Sequence, residues 1–337
     1  MDEFDDSRLE DARILRLADP LLIPLAESGA RLRREHDRAV GPLGELADGT
    51  RPRAVIAFGP EARLLRAVLE PTCPVPFVAW PALGLPGWVG PLDLVVLIGT
   101  TGPEPLAVAH EALRRGCRLI VACDPDSALA RQGASRATTL LPTASDPLTA
   151  AVLVLAGLHT LGLGPAVSPS AVADAMDAVA DECGYRADVS MNPAKTMALE
   201  LADAQPLVWG GTVLAARASR RIAEALRAAS GRLSLSADAG ALLPLVEATV
   251  PRDVFSDPFD SGHAERRPGL VLIDDGLADE AAEATQRQLL RAAEAVDIRV
   301  VRLAHGRDSI VERYVTVLLK GLFGAAYLQI GLGRSLS

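Results

Sequence analysis

Aromatic residues supply only 4% of this 337-residue chain, with three Trp, three Tyr and six Phe. Its cores must be packed with aliphatic side chains, and a hydrophobic share of 49% leaves ample material for that. Cysteine is scarce too: Cys73, Cys117, Cys123 and Cys183 form no CxxC pair and have no histidine at zinc-finger spacing. A zinc ribbon or a disulfide scaffold is thereby excluded, and reduced structural thiols are expected. Basic residues are outnumbered, 34 Lys and Arg against 43 Asp and Glu, for a net charge of -9. With no basic run, neither nucleic acid nor an anionic membrane is an expected partner. The N-terminus, Met1 to Asp6, is acidic where an export signal needs a basic start and an apolar core. A cytoplasmic location follows as an expectation. The long apolar stretches 147–164 and 311–331 are read as buried helices, the first short and containing His159, the second carrying Glu312, Arg313 and Lys320.

What the chain does contain is a recurring junction. The apolar run Leu94-Val95-Val96-Leu97-Ile98 breaks at Gly99-Thr100-Thr101-Gly102 and enters a helix at Pro103-Glu104. A buried parallel strand delivers such a loop to the carboxyl end of its sheet, where the next helix points its positive end at an anion. A second strand–glycine–helix junction stands at Leu207-Val208-Trp209-Gly210-Gly211-Thr212. Two such junctions, in a chain longer than one compact core usually serves, predict two α/β halves with a shared cleft near Thr100, Thr101, Gly210 and Gly211.

The pattern begins with an amphipathic helix over 21–40, in which Leu22, Leu25 and Leu32 share a face. Strands follow at 54–58, 77–80, 92–98 and 117–123, with helices over 61–69, 104–115, 126–132 and 146–163. Asp124 and Asp126 are placed to cap the third of these. After a connector with a helix over 168–180, a helix is predicted at 193–202, a strand at 207 and a helix over 213–228. Strands at 270–273 and 298–301 flank a charged helix over 277–295, and a last helix spans 308–330. Strands alternating with helices indicate parallel sheets covered on both faces. The expected division is a helical segment 1–45, a first domain 46–165, a helical connector 166–204 and a second domain 205–337. Met191, Met197 and Trp209 are assigned to the core, while Trp80 and Trp88 are read as packed or bordering the cleft.

These residues, taken in order, resemble the sugar isomerase (SIS) domain family. Pro76-Phe77-Val78-Ala79-Trp80, Leu83-Gly84-Leu85-Pro86 and the run 92–102 look like its first ligand loop. Asn192-Pro193-Ala194-Lys195, Trp209-Gly210-Gly211, Arg221-Ile222-Ala223-Glu224 and Tyr327-Leu328-Gln329-Ile330-Gly331 then follow in the sequence seen in the two-domain bifunctional phosphoglucose/phosphomannose isomerases. The resemblance covers about residues 19–331 and implies two flavodoxin-like parallel α/β/α domains. It further implies isomerisation of a 6-phosphorylated aldose to fructose 6-phosphate through an enediol, without metal or cofactor, in a homodimer. The apolar helix with Leu318, Leu319, Leu322, Phe323 and Tyr327 is read as adding to that dimer. Glu224 falls on the family's glutamate base, its other reading being a solvated helix carboxylate. Gly59, Thr100, Thr101, Gly102, Gly210, Gly211 and Thr212 fall on the substrate-binding positions.

The departures from the family bear on chemistry. Where a histidine should follow the base, the chain reads Ser236-Ala237-Asp238-Ala239-Gly240-Ala241, and Gly99 and Glu104 replace a serine and a phosphate-binding threonine. Gly59-Pro60-Glu61-Ala62 replaces a glycine/serine turn, so that Pro60 removes an N–H and Glu61 adds negative charge. Glu61 and Glu104 either repel a phosphate dianion or point outward as solvated first-turn residues. No arginine stands near Asp146-Pro147-Leu148, where the family places one. Asp274-Asp275-Gly276 reads as an ordinary turn, and His263 and His305 suggest no metal site. A nicotinamide enzyme is excluded because no GxGxxG follows the first strand. Two functions stand: a dimeric sugar-phosphate aldose–ketose isomerase with Glu224 as base, or a non-catalytic SIS protein that binds a sugar phosphate or a partner enzyme and regulates it.

Overall fold

The computed structural model describes residues 3–81, 83–99, 102–144, 146–250, 266–306 and 309–334. The chain divides into two compact units, one formed by Ser28–Asp174 and the other by Met1–Glu27 together with Ala175–Ser337. Short helices α1 (Ala12–Leu17) and α2 (Asp19–Ala26) precede α3 (Ser28–Glu45). The helix expected over 21–40 is thus broken at Glu27, and the segment 1–45 does not stay together: α3 packs on its own unit, while residues 4–27 join the C-terminal half. There the Asp5 N–H donates to the Gly331 carbonyl at 2.9 Å. Leu22 and Leu32, expected on one face of one helix, are each buried in a different unit.

The Ser28–Asp174 unit holds β1 (Val55–Phe58), α4 (Ala62–Leu69), β2 (Phe77–Ala79), β3 (Leu94–Ile98), α5 (Pro103–Arg114), β4 (Arg118–Cys123), α6 (Ala128–Gln132), β5 (Thr138–Pro142) and α7 (Pro147–Thr160). Its five strands lie in the order β2-β1-β3-β4-β5, all parallel. Side chains alternate across this sheet as the pleat requires. Ile56, Phe58, Val95, Leu97, Leu119 and Val121 face α5 and α6 in one core, and α3, α4 and α7 cover the opposite face. Burial on both faces explains why β1, β3 and β4 read as uninterrupted apolar runs. β5 escaped the sequence reading because its TTLLP is short, half-buried and opens on two threonines. The connection from β2 to β3 has no helix among its described residues and is held by arginines: Arg53 grips Asp93 with contacts of 2.9 and 2.6 Å, and Arg115 Nη1 donates to the Pro86 carbonyl at 2.6 Å. Trp80 packs against the core beneath this loop, whereas Trp88 is 49% exposed.

The other unit continues with α8 (Pro169–Cys183), which begins in the first unit, then α9 (Pro193–Glu200), β6 (Gln205–Gly210), α10 (Val213–Ser230), β7 (Leu235–Ser236) and α11 (Ala239–Glu247). It closes with β8 (Pro268–Asp274), α12 (Glu280–Ala295), β9 (Val300–Ala304) and α13 (Ile310–Gly331). The four strands run parallel in the order β7-β6-β8-β9. α11 and α12 cover one face through Leu242, Val246, Leu289 and Ala293. α13 packs with α9 and α10. It is long and apolar enough to cross a membrane by length and composition, yet 83% of its apolar window is buried inside the unit. Leu318, Leu319, Phe323 and Tyr327 are at most 2% exposed, so the greasy surface expected to serve a dimer is already consumed by the fold. Met197 and Trp209 are in the core as expected, but Met191 is 76% exposed. It lies in the turn just before α9.

Candidate functional site

In a parallel sheet of this winding, loops diverge at the carboxyl ends of the strands where the order reverses, between β1 and β3 in one unit and β6 and β8 in the other. After β1, Gly59 takes φ 115°, and Glu61 enters α4 with only 1% exposure. Glu61 is therefore not the outward, solvated residue that was one of its two readings. After β3, Gly102 caps α5 at φ 98° with open space where a side chain would stand. Thr100 and Thr101 lie outside the described residues.

The start of α5 is poor in donors. Pro103 and Pro105 both lack an N–H, which leaves Glu104 as the single amide among the first three helical residues, and its side chain, in the same first turn, is exposed. Glu104 fits the outward reading favoured by the helix dipole. The amide missing at Pro105 is legible in the sequence itself.

Beyond β5 the fold supplies what local sequence lacked. Asp146 caps α7 through the Leu148 N–H at 3.0 Å and accepts the Thr149 hydroxyl at 2.9 Å, and Arg31 of α3 reaches it at 3.1 Å. An arginine does stand here, 115 positions away in sequence, but it is bound to Asp146. Next to it Glu35 is 3% exposed and accepts the Ala144 N–H at 2.9 Å through Oε1. Its Oε2 and the Thr143 hydroxyl are buried without a hydrogen-bond partner among the described residues. Burial, followed by the Asp146 charge, lifts the Glu35 carboxyl above the ordinary glutamate value against the pull of the Ala144 amide, Arg31 and Arg38.

In the second unit, Gly210 and Gly211 serve close packing. A Cβ on Gly210 would collide with the Ala215 backbone, and one on Gly211 would lie 2.6 Å from the Trp209 ring. Thr212 caps α10 by accepting the Ala215 N–H at 3.0 Å, and its hydroxyl donates to Asp275. Asp275 is 1% exposed, accepts the Leu277 N–H at 3.2 Å, and offers its backbone carbonyl to Arg313 at 3.2 Å. The segment 274–276 is thus no ordinary turn: it seats an internal carboxylate beside the positive end of α10, where a ligand anion would otherwise lie.

Glu224 is not brought to this loop. The separation between Thr212 and Glu224 corresponds to about 18 Å along the axis of α10. Its side chain is 52% exposed and pairs with Arg221 at 3.5 Å, which matches the solvated helix carboxylate of the two readings. Asp124 and Asp126 do not cap α6 either; Ser127 does, by accepting the Ala130 N–H at 3.1 Å. Among the described residues no group of three or more His, Cys, Asp and Glu is disposed to hold a metal ion. His263 lies outside the described residues, and the His305 amide donates to the Asp274 carbonyl at 3.3 Å.

No protein-family model and no curated protein matches the sequence. Solved structures do match the fold. The C-terminal domain of glucosamine-fructose-6-phosphate aminotransferase from Francisella tularensis superposes with a TM-score of 0.64 at 13% identity, covering 94% of this chain and 97% of that one. Glucosamine-6-phosphate deaminase from Thermotoga maritima gives 0.60 at 13% identity, over 94% and 96% of the two chains. A glucose-6-phosphate isomerase like protein from Thermus thermophilus gives 0.54 at 17%, over 88% and 90%. The strand orders place both sheets in the flavodoxin-like class, and the chain has the SIS-type fold of two parallel-sheet α/β units seen in these phosphosugar-handling structures.

Proposed function

We propose that this chain is a non-catalytic SIS protein, a binder of a sugar phosphate that acts through binding rather than through turnover. The observation that carries the reading is Glu224, a solvent-exposed, ion-paired carboxylate about 18 Å along its helix from the Thr212 cap. A base for enediol chemistry has to sit within hydrogen-bond reach of the carbon-bound proton, in surroundings that tune its basicity. Two further features agree with it. Asp275 holds the anion position at α10, and α5 opens on two prolines and a glutamate. Both weaken the hold on a phosphate dianion, so affinity for hexose 6-phosphates is low.

The second reading, an aldose–ketose isomerase acting between glucose or mannose 6-phosphate and fructose 6-phosphate with Glu224 as base, draws support from the names of the fold neighbours. One assay separates the two. Fructose 6-phosphate is incubated with the protein and the mixture is followed for glucose and mannose 6-phosphates. The expected result is no conversion above buffer. Conversion that disappears in Glu224→Gln would establish the isomerase instead. A cytoplasmic homodimer remains part of the proposal on family resemblance alone, since α13 does not supply the interface. Light scattering at micromolar concentration tests it.

A further inference from the structure

α10 starts at the carboxyl end of β6 and runs back, so its last residue, Ser230, lies at the opposite edge of the sheet from the Gly210–Thr212 loop. There a cavity of about 180 Å³ is lined by Ser230, Gly231, Arg232, Arg266, Leu332 and Arg334. Among the described residues, half of that lining is arginine and none of it is acidic, in a chain whose net charge is -9.

Two of the guanidinium groups are fixed by backbone. Arg232 Nη1 donates to the Ala202 carbonyl at 2.6 Å and to Leu201 at 3.2 Å, and Arg334 Nη1 donates to the Ser230 carbonyl. The second bond also takes up the partial negative charge of the α10 carboxyl end, which would otherwise oppose an anion. Gly231, at φ 63°, ends α10 directly beneath Arg334; a Cβ there would collide with that guanidinium. The Ser230 hydroxyl accepts the Arg232 N–H at 3.2 Å and so ties the turn to the helix. Arginines held this way have lost their rotamer freedom on folding, not on binding. Their planar forks match the oxygens of a phosphate in pairs.

We propose that this cavity is a binding site for a phosphomonoester dianion, carried by a small molecule and separate from the loops at the carboxyl ends of the strands. Inorganic phosphate and glucose 6-phosphate are the probes, with glucose as the uncharged control, titrated into the full chain by calorimetry at low ionic strength. Amide resonances are followed in parallel. Saturable binding of both phosphates and none of glucose is expected, with shifts centred on Ser230, Gly231 and Arg232. Arg334→Gln and, independently, the exposed Arg266→Gln should each weaken binding about tenfold, the loss of one charge-assisted contact. Arg266→Gln leaves the carbonyl clamps of Arg232 and Arg334 intact, and its melting temperature is measured beside that of the wild type, so that a loss of binding is read apart from a loss of stability. Absence of saturable binding, affinity unchanged in both variants, or shifts confined to Gly59 and Gly102 would overturn the site. The last result would still support phosphate binding at the loops, so the two proposals fail separately.

Discussion

The ammonium of Lys195 lies 5.6 Å from the centre of the Tyr327 ring while donating to the carbonyls of Tyr185 at 3.1 Å and Ala187 at 2.9 Å. Lys195 is 2% exposed, and burial pushes its ammonium below the usual lysine value, although Glu10 and Asp188 pull the other way. Tyr327 in turn donates to the Cys183 carbonyl at 2.7 Å. The pair pins the turn between α8 and α9 onto α13, and the Asn192-Pro193-Ala194-Lys195 segment owes its place to this clamp. Lys195→Ala should cost about 2–4 kcal/mol, because it removes a buried ammonium that holds two backbone carbonyls, and Tyr327→Phe about 1–3 kcal/mol, because it strands the carbonyl of the buried Cys183. Urea unfolding measures both, and a loss below about 0.5 kcal/mol in Lys195→Ala would refute the clamp.

Glu35 gives the Ser28–Asp174 unit a pH dependence. Its carboxyl value is raised in the folded protein above 4.5, chiefly by burial. The folded state thus keeps a proton that the unfolded chain has released. The associated stability is whole below 4.5 and is lost as pH rises through the raised value. Glu35→Gln removes this fall. Urea midpoints of wild type and variant between about pH 4 and 8 should diverge in the variant's favour as pH rises, and a difference that stays flat would show that Glu35 titrates alike in both states.

Thr212 is predicted to matter for stability rather than for ligand contact. Thr212→Val removes the cap on Ala215 and the donor to the buried Asp275 carboxylate together. A loss of about 1–3 kcal/mol is expected. Asp275→Asn, which keeps an acceptor for the hydroxyl, should cost less. Thermal unfolding of the two variants tests the ranking.

Glu224→Gln should leave stability within about 0.5 kcal/mol of wild type, because an exposed pair with Arg221 contributes little. Differential scanning calorimetry at neutral pH checks this.

At the opening of α5, Glu104→Thr combined with Pro105→Ala removes an exposed carboxylate and restores an amide donor. Hexose 6-phosphate should bind the variant about fivefold to tenfold more tightly, equivalent to about 1 kcal/mol. Glu61 is left in place because it is buried. Titration calorimetry with glucose 6-phosphate reads the gain, and equal affinities would mean that this helix end takes no part in phosphate binding.

The runs at 94–98, 118–123 and 270–273 announced themselves as strands because burial on both faces demands unbroken apolar sequence, and the glycines at 59, 102, 210 and 211 marked the turns that follow strands. Two parallel α/β units were determined at that level. β5 and β7 were not, since a short edge strand buries too little to leave a pattern. Nor was the break at Glu27, where neighbouring helices take different partners. The site depended most on tertiary structure. The exposure of Glu224, the burial of Glu61, the seat of Asp275 on Thr212 and the arrival of Arg31 at Asp146 all depend on which distant segments meet. Local sequence fixes which groups a residue can offer. Whether those groups meet water, an internal partner or a ligand is decided by packing between elements far apart in the chain.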